Sequence, residues 1–174
     1  MAEKENSAIT QYLTFTLGDE FFAQEIAEVR EVLEYTTITQ MPGTPDYLLG
    51  VINLRGEAVP VVDMRLKLGM KQKERTVNTS IIITEVDLNK GKTIIGALVD
   101  SVKEVLEMDQ QSLEAPPKIG TQMNIDFIKS MGKQDDKFVM ILDVERIFST
   151  DELNYVNQVT EALVDETKPE EVVA

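Results

Sequence analysis

Gly50-Val51-Ile52-Asn53-Leu54-Arg55-Gly56-Glu57-Ala58-Val59-Pro60-Val61-Val62-Asp63 is the stretch whose reading decides the fold. Two apolar runs, Val51 to Leu54 and Ala58 to Val62, flank a short polar break. Gly56 can take the positive φ that a tight turn needs, so the segment reads as a β-hairpin. Pro60 has no N–H to give to a ladder, which predicts that its strand lies on a sheet edge or at a bulge. Asn53 and Arg55 stand beside the turn as polar residues in an apolar segment.

Working outward, Gln11 to Leu17 alternates, with Tyr12, Thr14 and Thr16 on one side and Leu13, Phe15 and Leu17 on the other. That pattern predicts a half-buried strand. Gly18-Asp19-Glu20 is a turn into a second strand at Phe21-Phe22-Ala23. Ile26, Val29 and Leu33 recur at helical spacing and predict a short helix, although the β-formers from Glu31 onward predict a strand close behind it. Residues 70–78 carry three basic side chains and read as a linker. Ile-rich Thr79 to Val86 and Thr93 to Val99 are strands around a polar turn.

The order then repeats. Val29-Arg30-Glu31-Val32-Leu33-Glu34 matches Val102-Lys103-Glu104-Val105-Leu106-Glu107, with Arg30 and Lys103 the sole difference in type. Tyr47-Leu48 corresponds to Phe127-Ile128, and Val61-Val62-Asp63 to Ile141-Leu142-Asp143. The chain therefore reads as two similar modules, about 12–69 and 79–149, inside one domain over 9–163. Strands this short need closure to manage their edges, which favours a mainly β fold of two small barrels packed together. Residues 1–8 read as a flexible N-terminus, 150–163 as a C-terminal helix capped by Ser149 or Thr150, and 164–174 as an acidic tail.

Composition narrows the chemistry. Acidic residues outnumber basic ones, 31 against 17, for a net charge of −14. Phosphate backbones and anionic lipids repel such a chain, so nucleic-acid binding is not expected. Histidine and cysteine are both absent. The commonest general base, the commonest metal ligand and every thiolate function go with them, so no cofactor and no metal are expected. A Ser-His-Asp triad is impossible. No apolar run approaches the ~20 residues of a membrane helix, and the polar start is no signal peptide, so a cytoplasmic protein is expected.

Residues needed for folding should recur in both modules, and residues confined to one are better functional candidates. Asp63 and Asp143 recur and read as caps of the turns that follow. The Asn53-Leu54-Arg55-Gly56 turn does not recur, since Lys133-Gln134-Asp135-Asp136 stands there instead. Arg55 is either an ordinary surface residue paired with an acid such as Glu57 or a contact to a partner. Gly50, opposite Ser130 in the repeat, suggests a close backbone approach. The repeated Val29, Val32, Val102 and Val105 read more readily as core.

With these residues in hand, Gly50 to Gly56 followed by Val59-Pro60-Val61-Val62-Asp63-Met64-Arg65 resembles the signature of the CheW-type chemotaxis coupling proteins. Tyr12 to Gly18 and Ala97-Leu98-Val99-Asp100-Ser101-Val102 resemble further strands of that family, and the likeness runs over almost the whole chain. It implies two SH3-like barrels and no catalysis. It implies an adaptor between chemoreceptor cytoplasmic tips and the regulatory domain of the histidine kinase CheA, recruited to receptor arrays without entering the membrane. Carried across, Val29, Glu31 and Gly50 fall on the kinase-facing surface, and Arg55, with Asn53 and Gly56 beside it, on the signature turn. Val102 and Val105 fall on the receptor-facing side of a groove between modules. Lys118 stands where relatives can carry an apolar residue. The competing expectations are a small-ligand-binding β-barrel regulator and, more remotely, a carboxylate- or metal-dependent hydrolase.

Overall fold

The structure, a computed structural model, describes residues 9–88, 91–116 and 127–148. The expected N-terminal segment, C-terminal helix and acidic tail, and Lys118, lie outside the described residues. Ten strands are described: β1 (Ile9–Leu17), β2 (Glu20–Glu25), β3 (Val29–Glu34), β4 (Leu48–Leu54), β5 (Glu57–Asp63), β6 (Ser80–Leu88), β7 (Gly91–Val99), β8 (Ser101–Asp109), β9 (Ile128–Gln134) and β10 (Lys137–Leu142). They build two five-stranded sheets, ordered β8-β1-β2-β10-β9 and β3-β6-β7-β5-β4. The halves of the sequence are interleaved. The opening hairpin of each half sits in the sheet completed by the other half's remaining strands.

The two sheets are built alike. Each has one parallel pair, β2 with β10 and β5 with β7, among antiparallel ones. The six-residue repeat is the edge strand of each sheet, β3 in one and part of β8 in the other. Each is bulged at the same place, between Val29 and Glu31 and between Val102 and Val105. In β8 the Thr14 hydroxyl fills the bulge, donating to the Glu104 carbonyl at 2.7 Å and accepting from the Glu104 N–H at 3.0 Å. The opposite edges match too: Gly50 faces Val61 after a register shift, as Ser130 faces Ile141. Bulges on edge strands interrupt the free ladder and discourage pairing with other chains.

Apolar residues fall into three groups, which explains the sheet geometry. Ile52, Val59, Val61, Ile81 and Ile83 fill the hollow of the second sheet, and Tyr12, Ala23, Val139 and Ile141 fill that of the first. The largest group, including Leu13, Phe15, Leu17, Phe22, Val62, Met64, Ile82 and Ile147, lies between the two sheets. Phe15 and Phe22 stack there, with ring centroids 6.0 Å apart. A strand between a barrel hollow and this central core is buried on both faces. The expectation of a half-buried β1 is corrected on that ground: Tyr12 and Thr14 are as buried as Leu13 and Phe15.

Two further expectations are corrected. The helix expected over Ile26 to Leu33 is one 3-10 turn, Ile26–Glu28, and the strand begins at Val29. The bulge inserts one residue into a strand pattern and so mimics helical spacing. Of the edge and bulge alternatives for Pro60 the edge is corrected, since β5 lies between β4 and β7; the β4–β5 pairing does bulge between Leu48 and Gly50, beside the Val51–Pro60 pair. The parallel ladder to β7 starts only at Val61, one residue past the missing N–H. The Pro60 strand therefore offers no free edge for pairing barrel to barrel.

Candidate functional site

The opening hairpin ends in a two-residue turn, with Leu54 opposite Glu57. Both turn residues have positive φ, Arg55 at 50° and Gly56 at 89°. This is the turn geometry that follows the right-handed twist of the flanking strands. Glycine adopts it freely, whereas an arginine there is uncommon and strained. Asn53 holds the turn, its Oδ1 accepting the Gly56 N–H at 2.7 Å.

The Arg55 guanidinium does not pair with Glu57. It reaches across to β3 and donates to both carboxylate oxygens of Glu31, forming an ion pair through Nη2 and Oε2. That bond holds the Glu31 carboxyl below its ordinary range. Since β3 and β4 are opposite edges of one sheet, the pair also marks where the sheet curls round to meet itself. Thr39 and Val51 strengthen the closure with backbone bonds of 2.8 and 2.9 Å. The Arg55 side chain stays 71% exposed, so the pair displays a charge more than it buries one.

Four of the expected site residues, Glu31, Asn53, Arg55 and Gly56, thus share one corner. Gly50 lies toward the other end of the same hairpin, opposite Val61, buried, with φ of 149°. A Cβ there would sit 2.0 Å from the Thr39 carbonyl oxygen, so the close backbone approach is real. Val29 and Val102 begin the two repeated edge strands and pack against the central core. Val105 is 46% exposed, and so is its counterpart Val32 at 41%. The structure therefore separates each repeated pair into one valine that packs and one that faces outward. Val32 and Val105 were both expected more readily in the core, and both exposures correct that reading; the six-residue match was the signal that the two share an environment.

Asp63 and Asp143 are caps, as expected. Asp63 accepts from the N–H groups of Arg65 and Leu66, and Asp143 from that of Arg146. Two features between the sheets went unread. Arg65 grips Asp100 in a bidentate pair, Nε to Oδ1 at 2.8 Å and Nη2 to Oδ2 at 2.6 Å, and Gly18 N–H adds a third bond at 2.7 Å. Burial pushes the Asp100 carboxyl up, but the Arg65 and Gly18 hydrogen bonds outweigh it and hold the group below its usual value. Lys67 is buried with its Nζ 4.3 Å from the Tyr47 ring centroid and 5.7 Å from that of Phe127. Burial lowers its pKa to about 8. Both Arg65 and Asp100 lie in quoted motifs, but nothing local says that they meet.

Residues 11–152 match the family described as the CheW-like domain. The chain belongs to this family. It is 30% identical to the chemotaxis protein CheW of Klebsiella aerogenes over 87% of this chain and 89% of that one. It is 32% identical to the probable chemotaxis protein CheW of Rhizobium etli, over 84% and 92%. A crystal structure of the scaffolding protein TtCheW from Thermoanaerobacter tengcongensis superposes with a TM-score of 0.73 at 32% identity, covering 83% of this chain and 91% of that one. The CheW-like fold is thus a mainly β pair of sheets, consistent with SH3-like barrels. The chain is a chemotaxis coupling adaptor of a scaffold family and not an enzyme. The rival reading as a ligand-binding barrel is not favoured, and apolar side chains fill both hollows. Among the described residues no helix is long and apolar enough to cross a membrane.

Proposed function

We propose that this CheW-like chain couples chemoreceptor cytoplasmic tips to the regulatory domain of the histidine kinase CheA, as a cytoplasmic protein recruited to receptor arrays. The observation that carries the reading is the Arg55 corner. A strained turn residue is held on the surface by Glu31, on a hairpin whose counterpart turn needs no such residue. Strain at an exposed turn points to a contact rather than to folding. The corner, together with Val29 on β3 and Gly50 on β4, makes the kinase-facing surface. The edge strand β8, with Val102 and the exposed Val105, is the receptor-facing one.

A helical receptor tip would lie along the apolar side of β8 in helix-in-groove fashion. The adaptor's output is a coupling free energy, so that a small receptor change biases the kinase. Modest affinities suffice where an array supplies avidity. The test is co-sedimentation of purified protein with a receptor-tip fragment and CheA. Joint pelleting with both partners is the expected result. Recovery of the protein in the supernatant with either partner would sink the assignment.

A further inference from the structure

The chain crosses between its sheets twice, once from β2 to β3 and once from β7 to β8. By the repeat, Ala27 and Glu28 of the first crossing stand where Asp100 and Ser101 stand in the second. Glu145, two residues past the Asp143 cap, stands where Arg65 follows Asp63. At the second crossing both positions are paired: Arg65 holds Asp100, and Ser101 Oγ lies 2.6 Å from Thr16 Oγ1. At the first, a carboxylate replaces the arginine and a second carboxylate replaces the serine.

The consequence is visible at Glu28. Its Oε1 is buried and has no hydrogen-bond partner among the described residues. The groups that face it are Tyr12 from β1, Glu25 from β2, Lys129 from β9, and Asp143 and Glu145 from the helical turn after β10. Lys129 is already committed, donating to Glu25 at 2.9 Å. Arg146 lies 3.8 Å from Asp143. An ionised Glu28 would therefore add a charge to a seam of three carboxylates whose ammonium is in use. Burial, and then Glu25, push its carboxyl up to about 7.

We propose that the crossing from Glu25 to Val29 is a proton-controlled hinge. With Glu28 neutral, the 3-10 turn stays packed in the seam. With Glu28 ionised, the side chain swings toward water and the turn loosens. Val29 transmits the change, because its N–H closes the turn on the Ile26 carbonyl and its residue opens β3. Two residues on, Glu31 holds Arg55. Any effect on partner docking rests on the adaptor reading; the hinge itself does not.

The experiment is an NMR titration of the full chain from pH 5 to pH 9, following Glu side-chain carboxyls and the amides of Ile26 to Glu31. Expected is a Glu28 midpoint near 7, with the amides moving at the same midpoint and losing roughly tenfold of their exchange protection above it. Glu28→Gln should abolish that amide transition. Glu145→Arg should supply the missing cation and pull the midpoint down toward the ordinary carboxylate range. A Glu28 midpoint near its unfolded value, or amides that do not follow it in the wild-type chain, would overturn the proposal without any variant having to fold. Amide movement that persists in Glu28→Gln would overturn it as well.

Discussion

Where the chain leaves the second sheet, Asp100 is held by Arg65 and by the Gly18 N–H, and Ser101 by Thr16. Where it leaves the first, Glu28 faces Glu25, Asp143 and Glu145 with Lys129 engaged by Glu25, and has a buried oxygen with no partner among the described residues. The strands on either side are equivalent in order, register and bulge. The difference lies in the crossings themselves, a 3-10 turn over Ile26–Glu28 against a single bend at Asp100, and in the side chains they carry. The same strand framework thus carries a paired carboxylate at one crossing and, among the described residues, an unpaired buried carboxylate oxygen at the other. Repetition fixed the backbone, and divergence at a few positions decides which parts are locked.

The largest effect expected from breaking this equivalence is at Gly50 and Ser130. Gly50 has the positive φ and the Thr39 carbonyl against its Cα, and Ser130 has a side chain in the matching place. Gly50→Ala should cost roughly 3 kcal/mol or more, because strain and a backbone clash add. Ser130→Ala should be neutral or slightly stabilising, since it removes a buried hydroxyl that has no partner among the described residues. Chemical denaturation of both variants checks the pair. Equal losses would mean that the two edges are not the different environments described.

Next comes the locked crossing. Arg65→Ala should cost about 2 kcal/mol, the order expected for charge-assisted hydrogen bonds in a partly buried site. The pH dependence has a definite sign. The Asp100 carboxyl lies below its ordinary value, so its contribution is complete above the unfolded carboxylate range and is lost as pH falls through the folded value. Asp100→Asn should flatten the acid limb of the melting curve. An unchanged acid limb would remove Asp100 as its source.

The first crossing should do the opposite. Glu28 is raised, so the folded state binds more protons than the unfolded one between about pH 4.5 and about 7. Stability therefore falls as pH rises through that window and stays lower above it. Glu28→Gln should leave the melting temperature near wild type at pH 5 and raise it by a few degrees at pH 8. The seam is partly open to solvent, so the gain should be smaller than for a fully buried carboxyl. Melting curves at the two pH values decide it, and a variant that melts lower at pH 8 would contradict the sign.

These contrasts also mark what the sequence could tell. The hairpin, the repeat, both aspartate caps and the Gly50 approach were legible, because each rests on local chemistry or on positions compared in parallel. The interleaving of the halves was not, because the strand that pairs with β1 at its open edge, β8, is remote in sequence. Double-faced burial of β1 was hidden by its threonines, one of which spends its hydroxyl inside the β8 bulge. Val32 was misjudged because a bulge shifts which side a residue faces. The Glu28 seam could not be read, since the carboxylates that raise it come from two elements far apart in sequence, β2 and the turn after β10. The Arg55–Glu31 pair depends in the same way on the sheet curling shut.

The smallest change in stability is expected at Arg55, where the contrast is with Asp135. Both residues occupy the first position of a matching turn at positive φ, 50° and 52°. Asp135 is a residue type that tolerates such a conformation, whereas Arg55 is not. Arg55→Ala removes an exposed ion pair, so the melting temperature should stay within experimental scatter of wild type. Arg55→Gly should keep or slightly raise it, because glycine relieves the strain. Both variants should nevertheless lose kinase control in a reconstituted receptor–CheA assay, since the guanidinium and the Glu31 it orients are what the corner presents. Asp135→Ala should leave control intact. If Arg55→Ala lost its fold by circular dichroism, the pair would be a closure for the barrel and the corner would forfeit its functional reading. If both turns mattered equally to coupling, the non-repeated turn would no longer be what distinguishes the two halves.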